Sequence, residues 1–119
     1  MVSQVRIKRI SNRIRNELSE LLIHHVSDPR LMGVSITDVL VDRELAYADI
    51  YVSTVEGVAR SSEVLSGLEH AQGFIRKELA QRISLRTFPH LRFHWDPTFE
   101  KADHIDQLIS QLHKESSNK

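Results

Sequence analysis

Val34-Ser35-Ile36-Thr37-Asp38-Val39-Leu40-Val41 and Leu45-Ala46-Tyr47-Ala48-Asp49-Ile50-Tyr51-Val52-Ser53, parted only by Asp42-Arg43-Glu44, decide the fold. The first run is rich in β-branched residues, which suit a pleated, half-buried surface. The second alternates Ala46, Ala48, Ile50 and Val52 against Tyr47, Asp49, Tyr51 and Ser53, the period of a strand with one buried face. Together they predict a β-hairpin. Ala46 and Ala48 are small enough to let a helix approach that face closely.

Outward from the hairpin, both neighbours read as helices. On the N-terminal side, Ile7, Ile10, Ile14, Leu18, Leu21 and Leu22 recur at helical spacing between Val5 and Val26, and Asp28-Pro29 supplies the stop. On the C-terminal side, Val64, Leu65, Leu68, Ala71, Ile75, Leu79 and Ile83 form a second stripe. Gly73 interrupts it at Ala71-Gln72-Gly73; glycine in a helix interior costs about 0.5–1 kcal/mol relative to alanine, so the reading is two helical halves meeting at an angle, or a close backbone approach. Leu91, Phe93 and Trp95 then alternate with Arg92, His94 and Asp96 as a third strand, with Phe93 read as core. Asp103-His104-Ile105-Asp106 caps a short final helix carrying Ile105, Leu108, Ile109 and Leu112. The expectation is one α+β domain over residues 1–113 with a short flexible tail, 114–119, and no internal repeat.

Composition narrows function. At 119 residues and 40% hydrophobic the chain can bury one core, and with no cysteine it has neither disulfides nor a thiolate site. Met1 to Arg6 lacks a signal-peptide h-region and no stretch approaches a membrane span of about 20 apolar residues, so a cytoplasmic monomer is expected. The formal net charge is zero, but its distribution is uneven. Arg6, Lys8, Arg9, Arg13 and Arg15 all precede Glu17, the first acidic residue. Arg6, Arg9 and Arg13 form one helical row and Lys8, Asn12 and Arg15 another. Cations in a first turn oppose the helix dipole, at about 0.3–1 kcal/mol each, and such a broken local rule points to an anionic partner. A second cluster, Arg76, Lys77, Arg82, Arg86 and Arg92, is opposed by Glu78, whose spacing to Arg82 also suits a plain ion pair. Acidic residues gather at Asp38, Asp42, Glu44 and Asp49 and again from Asp96 to Asp106.

Catalytic patterns are missing from the sequence. The four glycines form no phosphate-cradling loop, and Ser66-Gly67 lacks the preceding glycine of a nucleophile elbow. His24 and His25 are adjacent and cannot share a helix face, and His90 and His94 in a strand would lie ~13 Å apart, so no metal site is expected. A protein-only interaction module and, further off, a nuclease remain the alternatives to RNA binding. Tyr47 and Tyr51 share one strand face and could stack on bases if that face is open.

Helix, strand, strand, bent helix, strand is the type II KH topology. The basic helix from Arg6 to Leu22, Asp28-Pro29-Arg30-Leu31 leading into Val34-Ser35-Ile36-Thr37, Ala48 to Ser53, Ala71-Gln72-Gly73, and Leu85-Arg86-Thr87-Phe88-Pro89-His90-Leu91-Arg92-Phe93 occur in this order. Over roughly residues 3 to 112 they resemble ribosome-binding factor A. The resemblance implies a KH-like domain in which Ala71-Gln72-Gly73 replaces the GXXG clamp of ordinary KH domains. It further implies a factor without cofactor that binds the free or immature small (30S) subunit and its 16S rRNA and aids late maturation, notably in the cold. Other assembly factors, such as a ribosome-associated GTPase, are implied as possible partners. RNA contact is then expected from Arg6, Lys8, Arg9, Arg13, Arg15, Gly73, Arg76, Lys77, Arg82 and Arg86.

Overall fold

In a computed structural model, which describes residues 3–98, helix α1 spans Gln4–His24, strand β1 Ser35–Val41, strand β2 Tyr47–Ser53, helix α2 Ser61–Arg82 and strand β3 His90–Trp95. Single 3-10 turns at Pro29–Leu31 and Val58–Arg60 precede β1 and α2. The sheet has the order β1-β2-β3, with β1 antiparallel and β3 parallel to β2. The α+β order expected from the sequence is therefore the observed one. The expected C-terminal helix and tail lie outside the described residues.

Each element follows from its residues. Ser3 caps α1 by accepting the Arg6 amide at 3.2 Å, and the helix buries Ile7, Ile10, Ile14, Leu18, Leu21 and Leu22. Asp28 ends the run by capping the next turn, accepting the Arg30 amide at 2.9 Å while its carboxylate also holds the Arg30 guanidinium at 2.7 Å. In β2, Ala48, Ile50 and Val52 are fully buried, and their partners in the ladders, Val41, Val39 and Ile36 on β1 and Leu91, Phe93 and Trp95 on β3, share that face. Burial of one such Ile or Leu side chain is worth about 1.5–3 kcal/mol. The two helices cover this face, and Ile14, Leu18, Leu68, Ile75 and Leu79 complete the core. Between β1 and β2, Asp42 accepts the amides of Ala46 and Tyr47, and Leu45 takes φ 57°, a left-handed conformation that costs an L-residue about 1–2 kcal/mol.

Helix α2 is one continuous helix from Ser61 to Arg82, so the bend expected at Ala71-Gln72-Gly73 does not divide it into separate elements. The close approach expected at Gly73 needs correction, because this glycine is exposed and a Cβ built on it would meet nothing within 4 Å. The close approach is at Gly67, where a Cβ would stand 3.0 Å from Leu31 Cδ2 and 3.2 Å from Arg30 Cβ. The turn after α1 is thus pressed against the helix at its missing side chain. Arg60 ties the same region together: its guanidinium donates to the carbonyls of Met32 at 2.7 Å and Arg30 at 3.1 Å and pairs with Glu63 at 2.7 Å.

Candidate nucleic-acid interface

Because the apolar stripe of α1 is committed to the core, together with Ser11, whose hydroxyl donates to the Ile7 carbonyl at 2.9 Å, the basic positions of the helix are left on its outer side. Arg6, Lys8, Arg9, Arg13 and Arg15 are all exposed. The first turn contains no acidic residue, so the exposed amides at the helix start and these side chains add potentials of one sign. Lys8, Arg9 and Arg13 line a shallow groove with Val5, Asn12 and Asn16, in which amides and cations alternate. Among the described residues, the side chains of Arg6, Lys8, Arg9 and Arg15 have no hydrogen-bond or ion-pair partner. Their charge is open to an anion without any internal pair being broken. Arg13 is partly engaged: it donates to the Arg82 carbonyl at 2.9 Å and stands 3.9 Å from the Glu17 carboxylate.

The second cluster is not brought together as one patch. Arg82 pairs with Glu17 at 3.2 Å and Glu20 at 3.5 Å, both on α1, and not with the Glu78 that its spacing suggested. Arg76 is half-buried and donates to the carbonyls of Phe88 at 2.7 Å and Pro89 at 3.3 Å. One turn earlier Gln72 donates to the Leu91 carbonyl at 2.7 Å, so the two side chains bind α2 to the entry of β3. Lys77 and Arg86 are exposed and free of partners among the described residues. Gly73 lies between Gln72 and the exposed Phe74 on the outside of α2. Arg76→Met should therefore lower stability by about 1–2 kcal/mol through two abandoned carbonyls, with RNA affinity unchanged. Urea melts and RNA titration of one preparation check it, and a large loss of affinity at unchanged stability would return Arg76 to the interface.

On the other side of the sheet lies a network that the sequence reading did not find. Arg92 holds both oxygens of Asp49, at 2.9 and 3.0 Å, and His94 Nε2 lies 2.7 Å from Asp49 Oδ1. The Arg92 guanidinium also sits 4.2 Å from the centre of the Tyr47 ring, and Tyr51 stacks on His94 at 5.0 Å. Burial pushes the Asp49 carboxyl up, but the hydrogen bonds and charges of Arg92 and His94 outweigh it and hold the group below its ordinary value. The linkage follows directly. A carboxylate with a depressed folded pKa contributes stability above its unfolded value, about 3.9, and loses it as pH falls through the lower folded value. Carboxyl NMR should give Asp49 a midpoint below 3.9; a midpoint at or above it would mean that the ion pair does not persist in solution. The signal was present in sequence as a shared period of two, 47, 49 and 51 beside 90, 92 and 94, but that period does not reveal register.

Among the described residues no group of three or more His, Asp or Glu side chains could hold a metal ion, and no helix is long and apolar enough to cross a membrane. The arrangement offers anion binding through exposed cations. The family description "Ribosome-binding factor A" matches residues 6–109. A ribosome-binding factor A of Alcanivorax borkumensis is 41% identical over 111 residues, covering 92% of this chain and 81% of the relative. In structure, ribosome-binding factor A from Thermus thermophilus superposes with a TM-score of 0.68 at 21% identity, over 75% of this chain and 93% of the other. A homology model of the Thermus thermophilus factor, fitted into a cryo-EM map of a 30S complex, gives a TM-score of 0.56 at 20% identity, over 76% and 91%.

Proposed function

Since this chain belongs to the ribosome-binding factor A family, we propose that it is a non-catalytic assembly factor for the small ribosomal subunit. It binds the free or immature 30S particle through 16S rRNA and promotes late maturation and processing of that RNA, in the cold above all. It acts in the cytoplasm as a monomer, without cofactor, and a ribosome-associated GTPase is a candidate for its release. The observation that carries this reading is the outer face of α1: five exposed cations, no carboxylate before Glu17, and four of the five free of internal partners among the described residues. The relative placed in a 30S complex supports the choice of subunit.

Within this reading Arg6, Lys8, Arg9 and Arg15 carry the first contact, with Arg13 at its edge. Lys77 and Arg86 extend it. Gly73 leaves bare backbone on the outside of α2, where a nucleic-acid strand can approach without steric cost. Arg76 and Arg82 hold the helices and β3 in place and act on the RNA only through them.

The test is co-sedimentation of the purified chain with purified immature small subunits, mature small subunits and large subunits. Binding should favour free or immature small subunits and weaken steeply with salt. Equal binding to large subunits, or affinity indifferent to salt, would overturn the reading in favour of a protein-only module. Incubation with precursor 16S rRNA should produce no new ends, and metal-dependent cleavage would overturn the non-catalytic part.

A further inference from the structure

Among the described residues nothing covers the face of the sheet turned away from the helices, and its side chains form a regular grid. In register across the three strands lie Asp38, Tyr51 and His94, then Leu40, Asp49 and Arg92. The last row is Asp42, whose carboxylate holds the Tyr47 amide, with Tyr47 and His90. Leu40 is 53% and Tyr47 41% exposed. Exposed tyrosine, leucine and arginine on a rigid sheet have the composition of a binding surface, since Tyr and Arg dominate interface energetics. Its electrostatics are opposite to those of α1. Asp38, Asp42, Glu44 and Asp49 stand on or beside it against Arg43 and Arg92. Asp38, Asp42 and Glu44 have no ion-pair partner among the described residues.

We propose that this open sheet face docks a basic protein segment, a stretch of a partner bearing arginine or lysine side chains. An RNA strand would meet a surplus of carboxylates here, whereas a guanidinium finds what it prefers, an aromatic ring with a carboxylate beside it. The face already accommodates one such group. Arg92 lies over Tyr47 and is bonded twice to Asp49, and Glu44 together with the second carboxylate oxygens of Asp38 and Asp42, whose first oxygens accept backbone amides, can receive others. The molecule is then two-sided, with α1 turned toward nucleic acid and the sheet toward protein. This inference stands apart from the rRNA reading and uses none of its residues.

The test is an NMR titration of the full chain with a hexa-arginine peptide and, separately, with hexauridylate. The peptide should shift Leu40, Tyr47 and Tyr51, and the RNA should shift α1 and leave those three unmoved. Tyr47→Ala should weaken peptide binding about three- to tenfold, and Glu44→Lys, a surface change that leaves the fold intact, should weaken it in the same direction. Neither should alter hexauridylate affinity. Peptide affinity unchanged in both variants would overturn the proposal, since the attraction would then be diffuse. So would hexauridylate shifts on the sheet face, which would make it an RNA platform, or concentration-dependent shifts without ligand, which would make it a contact between copies of this chain.

Discussion

Gly67→Leu should destabilise the fold by about 3 kcal/mol, whereas Gly73→Ala should stabilise it by about 0.5–1 kcal/mol, although both glycines belong to the same helix. At Gly67 the nearest neighbours of an added Cβ are Leu31 Cδ2 and Cγ at 3.0 and 3.3 Å and Arg30 Cβ at 3.2 Å. Leu31 is itself buried in the core and Arg30 is fixed by Asp28, so neither can retreat without moving the turn. A leucine adds three more carbons in that direction, and overpacking of this kind costs about 1–3 kcal/mol or more, beyond what better helix propensity returns. For a domain of roughly 100 residues a loss of about 3 kcal/mol lowers Tm by roughly 12–24 °C. At Gly73 nothing opposes a methyl group, so only the relief of backbone entropy counts. Thermal and urea melts of the two variants decide the matter; a stable Gly67→Leu protein would show that the turn does not bear on α2 in solution. The Gly73 variant has a second use, because unchanged subunit affinity would remove this glycine from the proposed RNA contact.

These two glycines also show how far the sequence could be read. Periodicity located both helices and all three strands because apolar residues at spacings of 3.6 and 2 report directly which face is buried. Ile14, Leu18, Ile50 and Val52 are buried as their spacing requires. The exposure of Arg6, Lys8, Arg9, Arg13 and Arg15 was legible for the same reason, since a face opposite the stripe has nowhere else to go. What depended on pairs distant in sequence was not legible. Gly73 attracted notice because it interrupts a stripe, yet Gly67 is the one that meets a neighbour 36 residues away in the chain. Arg76 read as a free cation until the carbonyls of Phe88 and Pro89 were seen beside it. Arg82 chose Glu17 and Glu20 across the helix interface over Glu78 on its own helix. The Asp49 network needed the β2–β3 register, which no local pattern encodes.

Reversing two charges on α1, Arg6→Glu with Arg9→Glu, should weaken small-subunit binding on the order of a hundredfold while making the isolated protein more stable. The gain in stability comes from the cap. Ser3 already accepts the amide of residue 6, and a glutamate at that position completes the reciprocal Ser-x-x-Glu arrangement in which its carboxylate reaches back to the Ser3 amide. It also replaces a cation by an anion in the first turn, and the two effects together are worth about 0.5–1.5 kcal/mol. The loss of binding comes from the phosphates. Each neutralised phosphate contributes a salt slope of about −0.7 to −0.9, so removal of two contacts should flatten the log affinity against log salt plot by about 1.4–1.8 units. Arg6 and Arg9 are suited to this test because neither side chain holds any other described residue, unlike Arg13, whose loss would also disturb the contact to Arg82. Melting the double variant and sedimenting it with small subunits over a range of salt give both numbers. A protein that gains stability and binds as before, with the same salt slope, would show that this helix face is solvated surface and that the rRNA contact lies elsewhere. A helix start that forgoes its best capping residue for an exposed arginine is otherwise unexplained by folding alone, which is why the two measurements belong together.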